Sequence, residues 1–140
     1  MKYLLDSHSL LWILETPAKL SHRARQIVED TESRLLVSIA TPWELAIKTN
    51  SGKLDAARIL QDFDHTILFA GYQLIETKPS HVIRAGMLPL HHRDPFDRLL
   101  AAQALDLMEQ KKITSLMVVG EGNQLQGVVH LHDLWGVELV

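Results

Sequence analysis

Four carboxylates stand where strands give way to helices: Asp6, Glu44, Asp94 and Asp97. The run Asp94-Pro95-Phe96-Asp97 reads most clearly. Asp94 is a natural N-cap, since its side chain can accept from the free N–H groups of a first turn. Pro95 then falls at the first helical position, where its missing N–H costs nothing. Asp97 follows in the same turn, where the helix dipole favours negative charge. Thr41-Pro42-Trp43-Glu44 has the form of a capping box, with Thr41 as N-cap and Glu44 three residues on. Asp6 ends the apolar run Tyr3-Leu4-Leu5 and can cap the segment that follows. Capping therefore accounts for each acid singly. Taken together they pose a different problem. Like charges about 4 Å apart repel by roughly 4 kcal/mol at an effective dielectric of about 20. A cluster of this kind needs a cation, a shared proton or an arginine. Oxygen ligands without cysteine suit Mg²⁺ or Mn²⁺. Such an ion keeps several waters, activates one as a nucleophile and steadies charge on a phosphoryl oxygen. The chemistry indicated is metal-dependent phosphodiester hydrolysis.

The elements that must bring these acids together follow from hydrophobic spacing. Tyr3–Leu5, Leu35–Val37, Tyr72–Ile75 and Ile113–Val119 read as strands. Helices are expected over Ser7–Glu15, 18–30, Thr41–Thr49, roughly 55–64, Pro79–Met87 and Pro95 to about Gln110. Strands alternating with helices imply an α/β fold with a parallel sheet. In such a sheet the acids lie at the carboxyl edge, where ligands bind near the reversal of strand order. The tail differs: Gly120-Glu121-Gly122-Asn123 separates two apolar runs, Ser115–Val119 and Leu125–Leu131, which is a hairpin signal for a last antiparallel pair.

Composition narrows the classes. The 140 residues fit one domain with a proper core. There are no cysteines, which excludes disulfides and thiolate metal sites. The net charge of −3 gives no bulk basic field for nucleic acid, so an RNA partner needs local cations. Lys48, Arg93 and Arg98 flank the acidic helix starts and are assigned to an RNA backbone. Arg98 reads equally well as a partner for one of the acids. No apolar run approaches the roughly 20 residues of a membrane span, and Asp6 comes too soon for a signal peptide, so a cytoplasmic protein is expected.

Residues 1 to about 105 resemble the PIN domain of VapC-like toxin ribonucleases. The resemblance rests on Leu4-Leu5-Asp6-Ser7-His8-Ser9-Leu10-Leu11-Trp12, on Pro42-Trp43-Glu44-Leu45-Ala46-Ile47-Lys48, and above all on His92-Arg93-Asp94-Pro95-Phe96-Asp97-Arg98-Leu99-Leu100-Ala101-Ala102-Gln103-Ala104. It implies a three-layer α/β/α sandwich and a Mg²⁺-dependent endoribonuclease, inhibited by a cognate antitoxin and often a homodimer. The matched positions make Asp6, Glu44 and Asp97 the catalytic and metal-site acids, with Asp94 in support. Ser7 replaces a threonine often found after the first acid, keeps the hydroxyl, and joins the substrate-binding set. The partly apolar helices over 7–30 offer a surface for the antitoxin. Trp12, Trp43 and Phe96 suit the core or an antitoxin groove, with Trp12 assigned to the core.

The tail departs from that family. A fourth acid is usual after the fourth strand, and here Glu121, in a Gly-Glu-Gly turn, is the nearest candidate. Residues from about 104 to 140 instead resemble the second half of a CBS motif, most like the C-terminus of arabinose-5-phosphate isomerases. The seam, near Ala101–Leu105, points to a chimera in which one PIN-like domain over 1–140 is completed by a CBS-like segment over 104–140. CBS modules work in pairs around adenine nucleotides. The alternative function is therefore a catalytically impaired fold hybrid, or an interaction module whose tail mediates dimerisation or nucleotide binding. His91 and His92 read as loop residues or phosphate contacts. His130 and His132 share one side of a strand but lack further ligands for a metal.

Overall fold

The computed structural model describes residues 2–89, 94–110, 115–120 and 124–129. Strands β1 (Lys2–Leu5) and β2 (Arg34–Ser38) are apolar on both faces. Leu4 and Leu36 lie in register and pack with Leu100, Ala101, Ala104 and Leu105. Tyr3, Leu5, Leu35 and Val37 turn the other way, into a larger core with Leu10, Trp12, Ala24, Leu45 and Ile59. Side chains alternate along a strand, so strands buried on both faces require a helical layer on each. The fold is accordingly a three-layer α/β/α sandwich.

The sheet contains β3 (Gln73–Ile75), β4 (Ser115–Gly120) and β5 (Gln124–Val129) as well, in the order β3-β2-β1-β4-β5. The first four are parallel, and β5 runs antiparallel to β4 as the hairpin signal predicted. Strand order reverses at β1, which has β2 on one side and β4 on the other.

One cover comprises α1 (Ser7–Glu15), α2 (His22–Glu29), α3 (Ala40–Asn50), α4 (Ala57–Leu60) and α5 (Phe63–Phe69). The other is α7 (Pro95–Glu109), with α6 (Pro79–Met87) packed against it. The spans of α1 and α6 are those expected. Three expectations change. The helix expected over 18–30 is broken: Pro17–Lys19 forms a 3-10 turn, and Ser21 caps α2 by accepting from the Ala24 N–H at 3.1 Å. The helix expected over 55–64 is two short helices, and the second runs on to Phe69 before Gly71 (φ +79°) turns the chain into β3. The capping box at Thr41 is absent, because α3 has already begun at Ala40. Ser38 Oγ accepts from the Ala40 N–H at 3.1 Å and the Ile39 N–H donates to Ile75 O at 2.9 Å, so the chain passes almost directly from β2 into the helix.

Two side chains tie α6 to the far half of α7. His81, buried, accepts at Nδ1 from the Lys78 N–H at 3.0 Å, and its Nε2 lies 3.1 Å from Asp106 Oδ2. Arg84 Nη2 donates to Glu109 Oε1 at 2.7 Å. Accepting at Nδ1 leaves the neutral ring's proton on Nε2, aimed at the carboxylate.

Leu45 is fully buried and fastens α3 to the larger core. Leu45→Ala is expected to cost about 2–5 kcal/mol, seen as a lower urea midpoint with unchanged slope. A loss well under 1 kcal/mol would show that α3 is held by something other than this contact.

Candidate active site

Asp6 is the first residue beyond β1, and its Oδ1 accepts from the Ser9 N–H at 2.7 Å. Asp94 caps α7, with Oδ1 accepting from the Phe96 N–H at 2.8 Å. Pro95 and Asp97 occupy the first turn of α7, as their order predicted. Capping and clustering therefore coexist: the carboxylates that start α1 and α7 are fixed by their own helices at the carboxyl edge of the sheet. Glu44 stands in the second turn of α3 and is buried (7% exposed).

Asp97 feels the charges of Asp94, Glu44 and Asp6, so the four acids share one region. Asp97 is an exposed residue at the start of α7, yet its carboxyl group lies close enough to protein atoms and other acids to be disfavoured as a charge. Its pKa is raised to about 6, first by desolvation and then by the charges of Asp94, Glu44 and Asp6, while Lys48 draws it partly back. Lys48 Nζ donates to Glu44 Oε2 at 2.6 Å, one helical turn along α3. Burial pulls the lysine pKa down. The bond to Glu44 and the charges of Glu44, Asp94 and Asp97 outweigh that, so the net shift is upward.

The other expected site residues take different roles. Ser7 is buried (3% exposed) and lines a cavity of about 10 Å³ with Ser38, Thr41, Glu44 and Phe96, roughly room for one water and none for a polymer. Arg98 is also buried, and its guanidinium donates to Pro89 O at 3.0 Å, Leu88 O at 2.7 Å and Gly86 O at 3.3 Å. That geometry clamps the end of α6 and the start of the loop toward α7, a role the sequence reading did not include. Lys48, expected on an RNA phosphate, is engaged with Glu44; its spacing of four from Glu44 on one helix was the signal that could have shown this. Arg93, His91, His92, Glu121, His130 and His132 lie outside the described residues.

Trp12 is in the core (4% exposed), whereas Trp43 is 63% exposed and meets Phe96 edge-on at 5.1 Å. The helices over 7–30 contribute none of the exposed large apolar side chains among the described residues. These are Ile39, Trp43 and Ile47 around α3, Leu68 and Phe69 on α5, and Val82, Ile83 and Met87 on α6.

The donor set fits a hard divalent cation in kind: it is all oxygen, and Asp97 is pushed up by desolvation and by the neighbouring negative charges. Among the described residues no three acidic or histidine side chains stand as a ready-made ligand group. Mg²⁺ does not require one, since it is commonly held by one or two carboxylates and its own waters.

The PIN domain family model matches residues 3–115. The chain belongs to the PIN-domain family. PIN domains are generally nucleases that use divalent metal ions, and the acids of this PIN domain stand at the sheet edge where such chemistry would be done. A CBS domain model matches residues 100–134, overlapping the PIN match through the second half of α7. Arabinose 5-phosphate isomerase KdsD of Yersinia pestis is 56% identical over 36 residues, which is 26% of this chain and 11% of that protein. The protein of the same name from Escherichia coli strain K12 is 53% identical over 36 residues, again 11% of its length. No solved structure matches. The PIN domain and its CBS-related tail share one sheet: β4 pairs with β1 and β5 with β4. No helix among the described residues is long and apolar enough to cross a membrane.

Proposed function

We propose that this PIN domain is a Mg²⁺- or Mn²⁺-dependent endoribonuclease of the toxin–antitoxin type, acting in the cytoplasm. The observation that carries the reading is the placement of acids at the sheet's carboxyl edge: Asp6 just beyond β1, where strand order reverses, and Asp94 and Asp97 at the start of α7, with Asp97 in the field of Asp6 and the buried Glu44. Asp6, Asp97 and Glu44 are the acids available to the ion, one or two binding it directly and the rest through its waters, with Asp94 fixing the first turn of α7 that carries Asp97. When bound, such an ion supplies an activated water and a counter-charge for the phosphoryl oxygen. The protein's part is to keep the acids converged at low cost, through the caps on α1 and α7, and to release the Asp97 proton near neutral pH. RNA, a cognate antitoxin and a second copy of the chain are the partners proposed. The exposed apolar side chains of α3 and α6 support a protein partner, because large apolar groups gathered on a helix face favour burial. The chain is taken as one domain over 1–140, completed by the CBS-like segment from 104.

Calorimetric titration of Mn²⁺ into the protein and into Asp6→Asn is the test, followed by RNA cleavage with and without chelator. Binding by the parent that is lost in Asp6→Asn, with cleavage abolished by chelator, is the expected result. No Mn²⁺ binding by the parent would leave a PIN scaffold without a working site. The CBS match favours a second reading, in which the tail binds an adenine nucleotide between two chains. AMP or ATP would then raise Tm in a concentration-dependent way, and a flat Tm would count against it.

A further inference from the structure

We propose that Lys48 is a built-in counter-ion that neutralises Glu44 in the metal-free protein and gives it up when the divalent ion enters. The proposal rests on the metal-site reading of the acids. Glu44 and Lys48 lie one turn apart on α3, with the acid N-terminal to the base, the order that suits the helix dipole. The contact is not a loose surface pair: the ammonium is 2.6 Å from Oε2, and the side chains are only 9% and 21% exposed for Glu44 and Lys48. Lys48 also stands within the field of Asp94 and Asp97, so its charge serves more than Glu44.

The two cations compete for one carboxylate. Lys48 holds Oε2, and a divalent ion on either oxygen of Glu44 would set a +2 charge beside the ammonium's +1, which repels it. The lysine can leave without disturbing α3, because its charge sits on a flexible four-carbon stem that is partly open to solvent. Without Lys48, Glu44 would be a buried carboxylate facing other acids, a costly arrangement in the metal-free protein. The lysine thus keeps the metal-free protein folded around Glu44 and sets the threshold for metal entry.

The test is Mn²⁺ titration calorimetry on the full chain and on Lys48→Met, with thermal melts of both in chelator and in excess Mn²⁺. Lys48→Met is expected to bind Mn²⁺ about tenfold more tightly than the parent. In chelator it should melt lower than the parent, and Mn²⁺ should close the gap. A purely structural lysine would leave affinity unchanged or weaken it, so equal or weaker binding by the folded variant overturns the proposal while the metal site stands. Failure of both proteins to bind Mn²⁺ overturns the metal site and this proposal together. If Lys48→Met does not fold, Lys48→Gln, which is neutral but can still donate to Glu44, takes its place with the same expected rise in affinity.

Discussion

Asp97→Asn is expected to make the metal-free protein more stable at neutral pH while abolishing Mn²⁺ binding and metal-dependent cleavage. The folded pKa of Asp97 is about 6, against 3.8 for an unperturbed aspartate. Between those values the folded state holds a proton that the unfolded state has released. The contribution of this group to stability therefore falls as pH rises from about 4 to 6 and stays low above. Asparagine cannot ionise and escapes that loss. Because Asp97 reaches solvent, the gain is screened to about 1 kcal/mol. Urea melts in chelator should superimpose near pH 4, apart from any constant offset, and separate near pH 7 in favour of the variant. In Mn²⁺ the order should reverse, since only the parent gains from binding. A variant less stable than the parent at neutral pH would show that the carboxylate does not bear the repulsion assigned to it. Retained cleavage would remove Asp97 from the site.

Arg98→Ala is expected to cost about 2–4 kcal/mol of stability. Its guanidinium donates to three carbonyls where α6 ends and the next loop begins, and truncation would strand them beside a cavity. Arg98→Lys should recover less than half of the loss, because an ammonium lacks the planar fork that reaches several acceptors at once. The measurement is a denaturant midpoint set beside RNA affinity. A stability change within about 0.5 kcal/mol, joined to weaker RNA binding, would return Arg98 to the phosphate-contact role first read from its position. A large stability change makes the residue part of the device that presents α7.

The site was legible where chemistry and chain position coincide. Asp94-Pro95-x-Asp97 specified its own helix start, because a cap and a first-turn proline act within four residues. Asp6 at the end of an apolar run implied the carboxyl edge of β1 in the same way. The start of α3 was misread for the opposite reason. Thr41 and Glu44 match a capping box, but the decisive bonds come from Ser38 and from Ile75 in a different strand. The breaks at Ser21 and between α4 and α5 depend on how short amphipathic pieces meet the core, which spacing alone does not report.

By itself the sequence determined the alternation of strand and helix, the parallel sheet with a final hairpin, the places of Asp6, Asp94 and Asp97 at element boundaries, and the oxygen-only character of the site. These follow from side-chain periodicity, local capping and the absence of cysteine, all of which act over short stretches of chain. Only the tertiary structure decided that Glu44 is buried, that Ser7 and Arg98 face inward, that His81 meets Asp106, and that Asp97 is raised toward neutral pH. Those properties arise from charges and carbonyls brought together from distant segments, and from the water their packing removes.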